Sequence, residues 1–325
     1  MANVINRRPL LSIIMPTYNG ERFIAAALES VRVQAATGIE LIIVDDGSSD
    51  ATLDIAAGFA RELPIHVVKP GRSGNWVSTT NIGLREAKGE WACFLHQDDL
   101  WMPERLATLQ QEMQSFTGPL IVHDTLFIGP DGSTLGSWTC PLTAGIVPSE
   151  TFVERLLVQN FIASPSTVFR RQLVVESGGM DENLWFSADW DLWLRLGSLG
   201  AVRFVSESMS AFRIHPESQT MARKLAAGEW ERQLTTVLRR HISSCRLDES
   251  RRGAVEKAAM MSVVVNSSLS SAARGEPVRW RALVEKGLAL GPGGWRRYLR
   301  DSRIVQRVGA RVRLRHHCRR SRTTA

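Results

Sequence analysis

Within the first 115 residues, short apolar runs of strand length alternate four times with longer segments of helical periodicity. Repetition of that kind is the sequence sign of βα units stacked on a largely parallel sheet, and it leaves few other folds open. LLSIIMPTY reads as the first strand, and Glu21 to Gln34 as a helix with Phe23, Ile24, Ala27, Leu28 and Val31 at spacings of three and four. IELIIVDDGSSD is a strand running into a turn, and SSDAT supplies N-cap candidates for a helix from Ala51 to Arg61. PIHVV, the loop and helix of GNWVSTTNIGLREAKG closed by Gly89, the strand of EWACFLHQDD, and a helix opened by Pro103 complete the series.

Further along, LIVHDTLFI is strand-like, GPDGS is a turn, and a Gly/Pro/Ser-rich stretch to about Ser149 reads as a loop. A helix over Glu150 to Gln159, a strand at Ser166 to Phe169, a helix at Asp189 to Leu196 and a strand pair between Ala201 and Ile214 follow. Beyond about Ala222 helix formers dominate, so the chain divides into an α/β domain over residues 1–222 and a helical extension over 223–325. With 325 residues, 44% of them hydrophobic, it can bury a substantial core. The four cysteines, Cys93, Cys140, Cys245 and Cys318, form no CxxC pair, which points to a reducing compartment. No secretory leader follows MANVINRRPL, and no run reaches the roughly 18 apolar residues of a membrane span, so a cytoplasmic protein, soluble or peripheral, is expected.

In open α/β sheets ligands gather at the carboxyl ends of the strands. Four endings are rich in polar groups: Pro16-Thr17-Tyr18-Asn19, Asp45-Asp46-Gly47-Ser48, His96-Gln97-Asp98-Asp99 and Arg213-Ile214-His215-Pro216. A carboxylate pair beside a histidine suits a hard divalent ion that bridges a diphosphate. The same sequences serve equally well as turns and caps, where Asp, Gly and Ser are common for backbone reasons.

Taken in order, PTYN, VDDGS, NIGLREAKGE, HQDD, GGMDENL, ADWDLWLRL and RIHPESQT resemble the inverting family 2 glycosyltransferases of GT-A fold, over roughly residues 10 to 222. The resemblance implies a Rossmann-like, mostly parallel sheet flanked by helices, with nucleotide-sugar binding in about 10–125 and the acceptor and catalytic part in about 126–222. It implies nucleotide contacts from Pro16, Thr17, Tyr18, Asp46 and Asn75, with Asp98 at the ribose or metal. Asp99 and His215 would hold Mg or Mn, and Asp189 would be the catalytic base. Two departures stand out. The usual Glu-Asp of the base motif is Ala188-Asp189 here, with Asp191 as a rival base that as a helix-start acid could equally serve the dipole. Thr80 and His96 replace an arginine and an acid common in relatives, leaving Lys69 and Arg72 as substitute cations for a diphosphate. Among the tryptophans near these motifs, Trp193 reads as core and Trp185 as a stacking surface for the acceptor.

The net charge of +7 is unevenly spread. From Trp295 onward there are eleven arginines, no lysine and one acid, leaving 29 basic against 32 acidic residues elsewhere. Trp295, Leu299, Val305, Val308 and Val312 recur mostly at helical spacing, giving a basic amphipathic helix over Trp295 to Leu314. Such a helix suits the anionic inner face of a plasma membrane and a lipid-linked or cell-surface saccharide acceptor. Nucleic-acid binding and a solvated tail are the alternatives. A non-catalytic carbohydrate-binding scaffold and a sugar-phosphate nucleotidyltransferase are the rival functions, the latter disfavoured because PTYNGERF has one glycine where a glycine-rich loop is usual.

Overall fold

A computed structural model describes residues 8–35, 37–218 and 228–323. The βα rhythm is realised as β1 (Leu11–Thr17), α1 (Ile24–Arg32), β2 (Ile39–Asp45), α2 (Thr52–Phe59), β3 (Ile65–Val68), α3 (Trp76–Glu86), β4 (Trp91–Phe94), β5 (Leu100–Trp101) and α4 (Arg105–Ser115). The second half adds β6 (Leu120–Ile128), β7 (Thr134–Trp138), β8 (Gly145–Val147), α5 (Ser149–Val158), β9 (Thr167–Arg170), α6 (Arg171–Glu176), α7 (Ala188–Leu199) and β10 (Val202–Arg213). Four helices close the chain: α8 (Glu229–Ile242), α9 (Glu249–Ala273), α10 (Trp280–Ser302) and α11 (Ile304–Thr323).

The strands form one sheet in the order β3-β2-β1-β4-β9-β6-β10-β5, with β7 on β6 and β8 on β10. β3, β2, β1 and β4 run parallel, as do β6 and β10, while β9 lies antiparallel between the two groups. Every residue of β1 is buried, as a strand covered on both faces requires. Because successive side chains point to opposite faces, Ile13 and Met15 join a core with α1, α2 and α4, whereas Ile14 enters a second core with α3, α5 and α7. Gly83 lets α3 settle on that second face, since a Cβ there would lie 2.5 Å from Ile14 Cγ2.

Three expectations change. The stretch before Ser149 is not a loop throughout: it holds β7 and β8, which pair with β6 and β10 at the margins of the sheet. Both strands are short, and glycines at 136 and 145 with positive φ blur the alternation. The strand pair between 201 and 214 is one strand, β10, whose register shifts around Ser208 imitate a break. The amphipathic helix over 295–314 is two helices, because Arg303 adopts a left-handed conformation (φ 48°) between α10 and α11. The proposed boundary at Ala222 lies outside the described residues. Leu234, Val237 and Leu238 of α8 and Val255, Ala258 and Ala259 of α9 share the core that contains Ile14 and Trp193, so the extension is built onto the sheet's helical face.

Candidate active site

The ends of β1, β2 and β4 meet at one edge, and short-range hydrogen bonds fix them there. Thr17 Oγ1 donates to Asp45 Oδ1 at 3.1 Å, and Asp45 Oδ2 accepts from the backbone N–H groups of Gly47 and Ser48. Asp45 is therefore the turn-forming acid of its pair, with Gly47 at φ 81°. Gln97 forms two bonds with the Tyr18 backbone, donating to its carbonyl at 3.0 Å and accepting from its N–H at 2.9 Å. This clasp needs Gly20, where a Cβ would fall 2.3 Å from Gln97 Oε1.

Asp46 is buried and gathers the 72–74 loop: Oδ1 accepts from Ser73 N at 2.6 Å, and Oδ2 from Gly74 N at 2.8 Å and Arg72 Nη1 at 3.2 Å. The Arg72 guanidinium also lies 3.4 Å over the Tyr18 ring. The carboxylate and the aromatic face assigned to a nucleotide are thus held by one arginine and two amides in this state. Lys69 is exposed. Asn75 caps α3, accepting from Val77 N, and donates to Glu182 O.

At the end of β4, Asp98 Oδ2 accepts from His215 Nε2 at 2.8 Å, and the other ring nitrogen of His215 faces Glu217 at 3.0 Å. Burial opposes charge on this imidazole, but the carboxylates on both nitrogens outweigh it and raise its pKa. Burial also pushes the Asp98 carboxyl up, and the bonded His215 with nearby His96 reverses that and holds it low. Asp99 is different. Its Oδ1 accepts from Arg213 N at 2.9 Å, whereas buried Oδ2 has no hydrogen-bond partner and lies 3.6 Å from His96 Nδ1. Burial pushes its pKa to about 6. Of the two residues expected at a metal, His215 bonds Asp98 while Asp99 accepts from the Arg213 backbone, so β10 reaches both acids.

Asp189 sits in the first turn of α7 and is partly exposed. Burial pushes its carboxyl to about 6 against the Trp190 N–H at 2.7 Å, the charge of His96, and the Asn160 amide at 3.2 Å. His96 therefore feels Asp99, Asp98 and Asp189 together, and although burial opposes its charge, their combined pull raises its pKa. Asp191 faces the other way, fully buried under Arg195 (3.0 Å), Arg240 (2.9 Å) and His241 (2.9 Å). Burial would raise its carboxyl, but His241 and the two arginines hold it below the ordinary range.

The segment before α7 is anchored to α3. Asn81 accepts from Met180 N at 2.8 Å and donates to Met180 O at 2.9 Å, and Gly179 (φ 80°) admits it where a Cβ would lie 2.6 Å away. Trp76 Nε1 donates to Trp185 O at 2.6 Å. Trp185, read from the sequence as a possible acceptor contact, is 8% exposed and packs in the main core. Trp193 is core, against Phe94 and Phe169.

Nothing in the sequence marks Asn160, which lies in an ordinary-looking loop after α5, and Arg213 is named there only within a polar strand ending, without the role of its side chain, which donates to the carbonyls of Asp98 and Gly129. Only its place two residues before His215 at a strand end hints at a role. A divalent ion fits what is present, since orphaned Asp99 Oδ2 is an oxygen donor of the required hardness. Among the described residues no group of three His, Cys, Asp or Glu side chains is arranged to hold one.

Residues 12–171 match the family model described as glycosyl transferase family 2. An uncharacterized glycosyltransferase of Rickettsia typhi is 28% identical over 228 residues, 65% of this chain and 66% of its own length. Another, from Haemophilus influenzae, is 29% identical over 188 residues, 58% of this chain and 62% of its own. The chain thus spans just under two thirds of these relatives. Among solved structures, S. aureus TarS 1–349 in complex with UDP-GlcNAc superimposes with a TM-score of 0.66 at 18% identity, over 85% of this chain and 79% of that one. TarS 1–349 alone gives 0.60 at 22% identity, over 80% and 72%. The likeness to TarS is one of fold.

Proposed function

We propose, from the match of residues 12–171 to the model described as glycosyl transferase family 2 and from the fold shared with TarS, that the protein moves a sugar from a nucleoside-diphosphate sugar to an acceptor hydroxyl with inversion. The observation that carries this is that His96 feels the carboxylates of Asp98, Asp99 and Asp189 together, with burial pushing Asp189 to about 6. A base poised just below neutral pH accepts a proton efficiently while remaining ionised at working pH.

In this reading residues of about 10–125 hold the donor and 126–222 the acceptor, with 223–325 as the extension. Pro16, Thr17, Tyr18, Asp46 and Asn75 surround the nucleotide, which enters as Arg72 leaves the Tyr18 face and turns its charge toward the phosphates. Asp98, kept ionised by His215, addresses the ribose. Asp99 would hold Mg²⁺ or Mn²⁺, with His215 nearby, and the ion would stabilise developing diphosphate charge. Asp189 takes the acceptor's proton as the acceptor oxygen bonds to the anomeric carbon. The bond from that carbon to the phosphate oxygen breaks, and attack opposite the leaving group inverts the centre. The S. aureus TarS structures include complexes with UDP and with UDP-GlcNAc, so uridine sugars are the first donors to try.

For the acceptor we assign a lipid-linked or cell-surface saccharide, supported by the basic extension, which would attach the enzyme to an anionic membrane. Among the described residues no helix is long and apolar enough to cross a membrane. The test is nucleotide release from a panel of sugar nucleotides with and without Mn²⁺ or Mg²⁺. Metal-dependent release from one donor, abolished by Asp99→Ala, is the expected result. Binding of a donor without turnover in the presence of saccharide acceptors would favour a carbohydrate-binding scaffold instead.

A further inference from the structure

The outer row of α10 carries an apolar surface that the catalytic site does not use. Trp280, Val284 and Leu288 are 69%, 60% and 79% exposed, and their spacing of four places them on one face. The helix breaks at Gly291 (φ 60°, ψ 179°), and two more exposed side chains follow, Trp295 at 37% and Leu299 at 50%. Trp295 Nε1 donates to Gly287 O at 2.9 Å, with its ring against Gly287, so the two segments are tied across the break. Between and beyond these exposed positions Gly287, Leu290, Tyr298 and Asp301 are buried against the protein. A contiguous line of large exposed apolar side chains on a water-facing helix marks a contact surface.

Charge selects the partner. Between residues 280 and 323 the sequence has thirteen basic and two acidic side chains. Arg281 and Arg296 are exposed beside the apolar positions. A protein groove would satisfy the apolar row alone, whereas an anionic bilayer surface satisfies the row and the surrounding charge together. The helix expected to do this from its sequence, α11, is turned partly inward: Ala310 and Leu314 pack on Phe127, Leu135 and Ile214, and Gln306 bonds Thr139.

We propose that α10 is the membrane-contacting element, with Trp280, Val284 and Leu288 entering the headgroup region of an anionic bilayer and Arg281 and Arg296 meeting its phosphates. This deepens the attachment proposed above and rests on it, but is independent of the catalytic assignment. The test is flotation of the full-length protein with vesicles of phosphatidylcholine, alone or with a third phosphatidylglycerol. Wild type should float with the anionic vesicles and not with the neutral ones. Trp280→Ser with Leu288→Asp should lose binding by more than about tenfold, with unchanged thermal melting because both side chains are exposed. Arg281→Glu with Arg296→Glu should weaken it by about fivefold per charge and increase its salt sensitivity.

Wild-type binding that survives both row substitutions overturns the proposal. If it is lost only on reversal of Arg315, Arg319, Arg320 and Arg322, attachment stands and the contact belongs to the far tail. Failure of wild type to bind anionic vesicles removes attachment and α10 contact together. Concentration-dependent dimerisation abolished by Trp280→Ser with Leu288→Asp, without vesicle binding, would show the row to be a copy-to-copy interface and also overturn it.

Discussion

Two aspartates stand two residues apart in the first turn of α7, and the structure treats them in opposite ways. Asp191 is sealed beneath two arginines and a histidine, which hold its carboxyl low. Asp189 looks toward the sheet edge with one backbone and one amide donor, and burial carries its carboxyl to about 6. A half-turn of helix thus separates an acid used to join α7 to α8 from one left under-paired. An acid with few partners gives up stability and keeps a usable lone pair, which is what a proton acceptor needs.

The contrast can be broken most severely at Asp189. Asp189→Asn should lower turnover by about 10²–10⁴-fold, the usual worth of a general base, with donor affinity little changed in calorimetry. Next in size is Asp191→Ala, which strands Arg240, Arg195 and His241 around a vacated site. Loss of one partner from a buried ion cluster costs about 3 kcal/mol, so its melting temperature should drop by roughly 5 °C or more, and activity per folded molecule should survive.

Titration sharpens the same comparison. A raised carboxyl pKa means the folded state binds the Asp189 proton more tightly than the unfolded chain. Its contribution to stability is therefore fully present at low pH and declines as pH rises from the ordinary carboxylate range through about 6. Asp189→Asn removes that penalty and should melt no lower than wild type above pH 6. Asp191, with a lowered pKa, stabilises above the ordinary range and loses that contribution as pH falls through its own value. The acid limb of kcat/KM should lie near pH 6 and vanish with Asp189, not with Asp191. The smallest effect belongs to Asn160→Ala: without the amide that favours the ionised form, the limb should move to higher pH and turnover should fall a few-fold.

The sequence announces the sheet and one half of this contrast. β1, β2 and β4 are legible because each is a buried apolar run, and α1 because it buries a single stripe of Ile24, Ala27, Leu28 and Val31. The later strands are not. β7 is a short return strand on β6 whose alternation Gly136 interrupts, β8 is held by the distant β10, and bulges in β10 disrupt the period that would have identified it. At the site, the strand-end acids can be picked out from their position, but their partners cannot. Whether His215 bonds Asp98 or Asp99 depends on where β10 ends relative to β4, and Asp191 could be separated from Asp189 only by seeing α8 bring Arg240 and His241 across. The tail shows the same limit: Val305 and Val312 form an apolar stripe in sequence, yet it is Ala310 and Leu314 that face the protein.

Of these two acids, Asp189 is the one proposed for the chemistry and Asp191 the one that holds α7 to α8. Nucleotide release from the active sugar donor, in the presence of its acceptor, should be measured for wild type, Asp189→Asn and Asp191→Asn alongside their melting curves. Asp189→Asn is expected to melt like wild type and be inactive, and Asp191→Asn to melt early and turn over when folded. A fully folded, inactive Asp191→Asn beside an active Asp189→Asn would contradict this assignment.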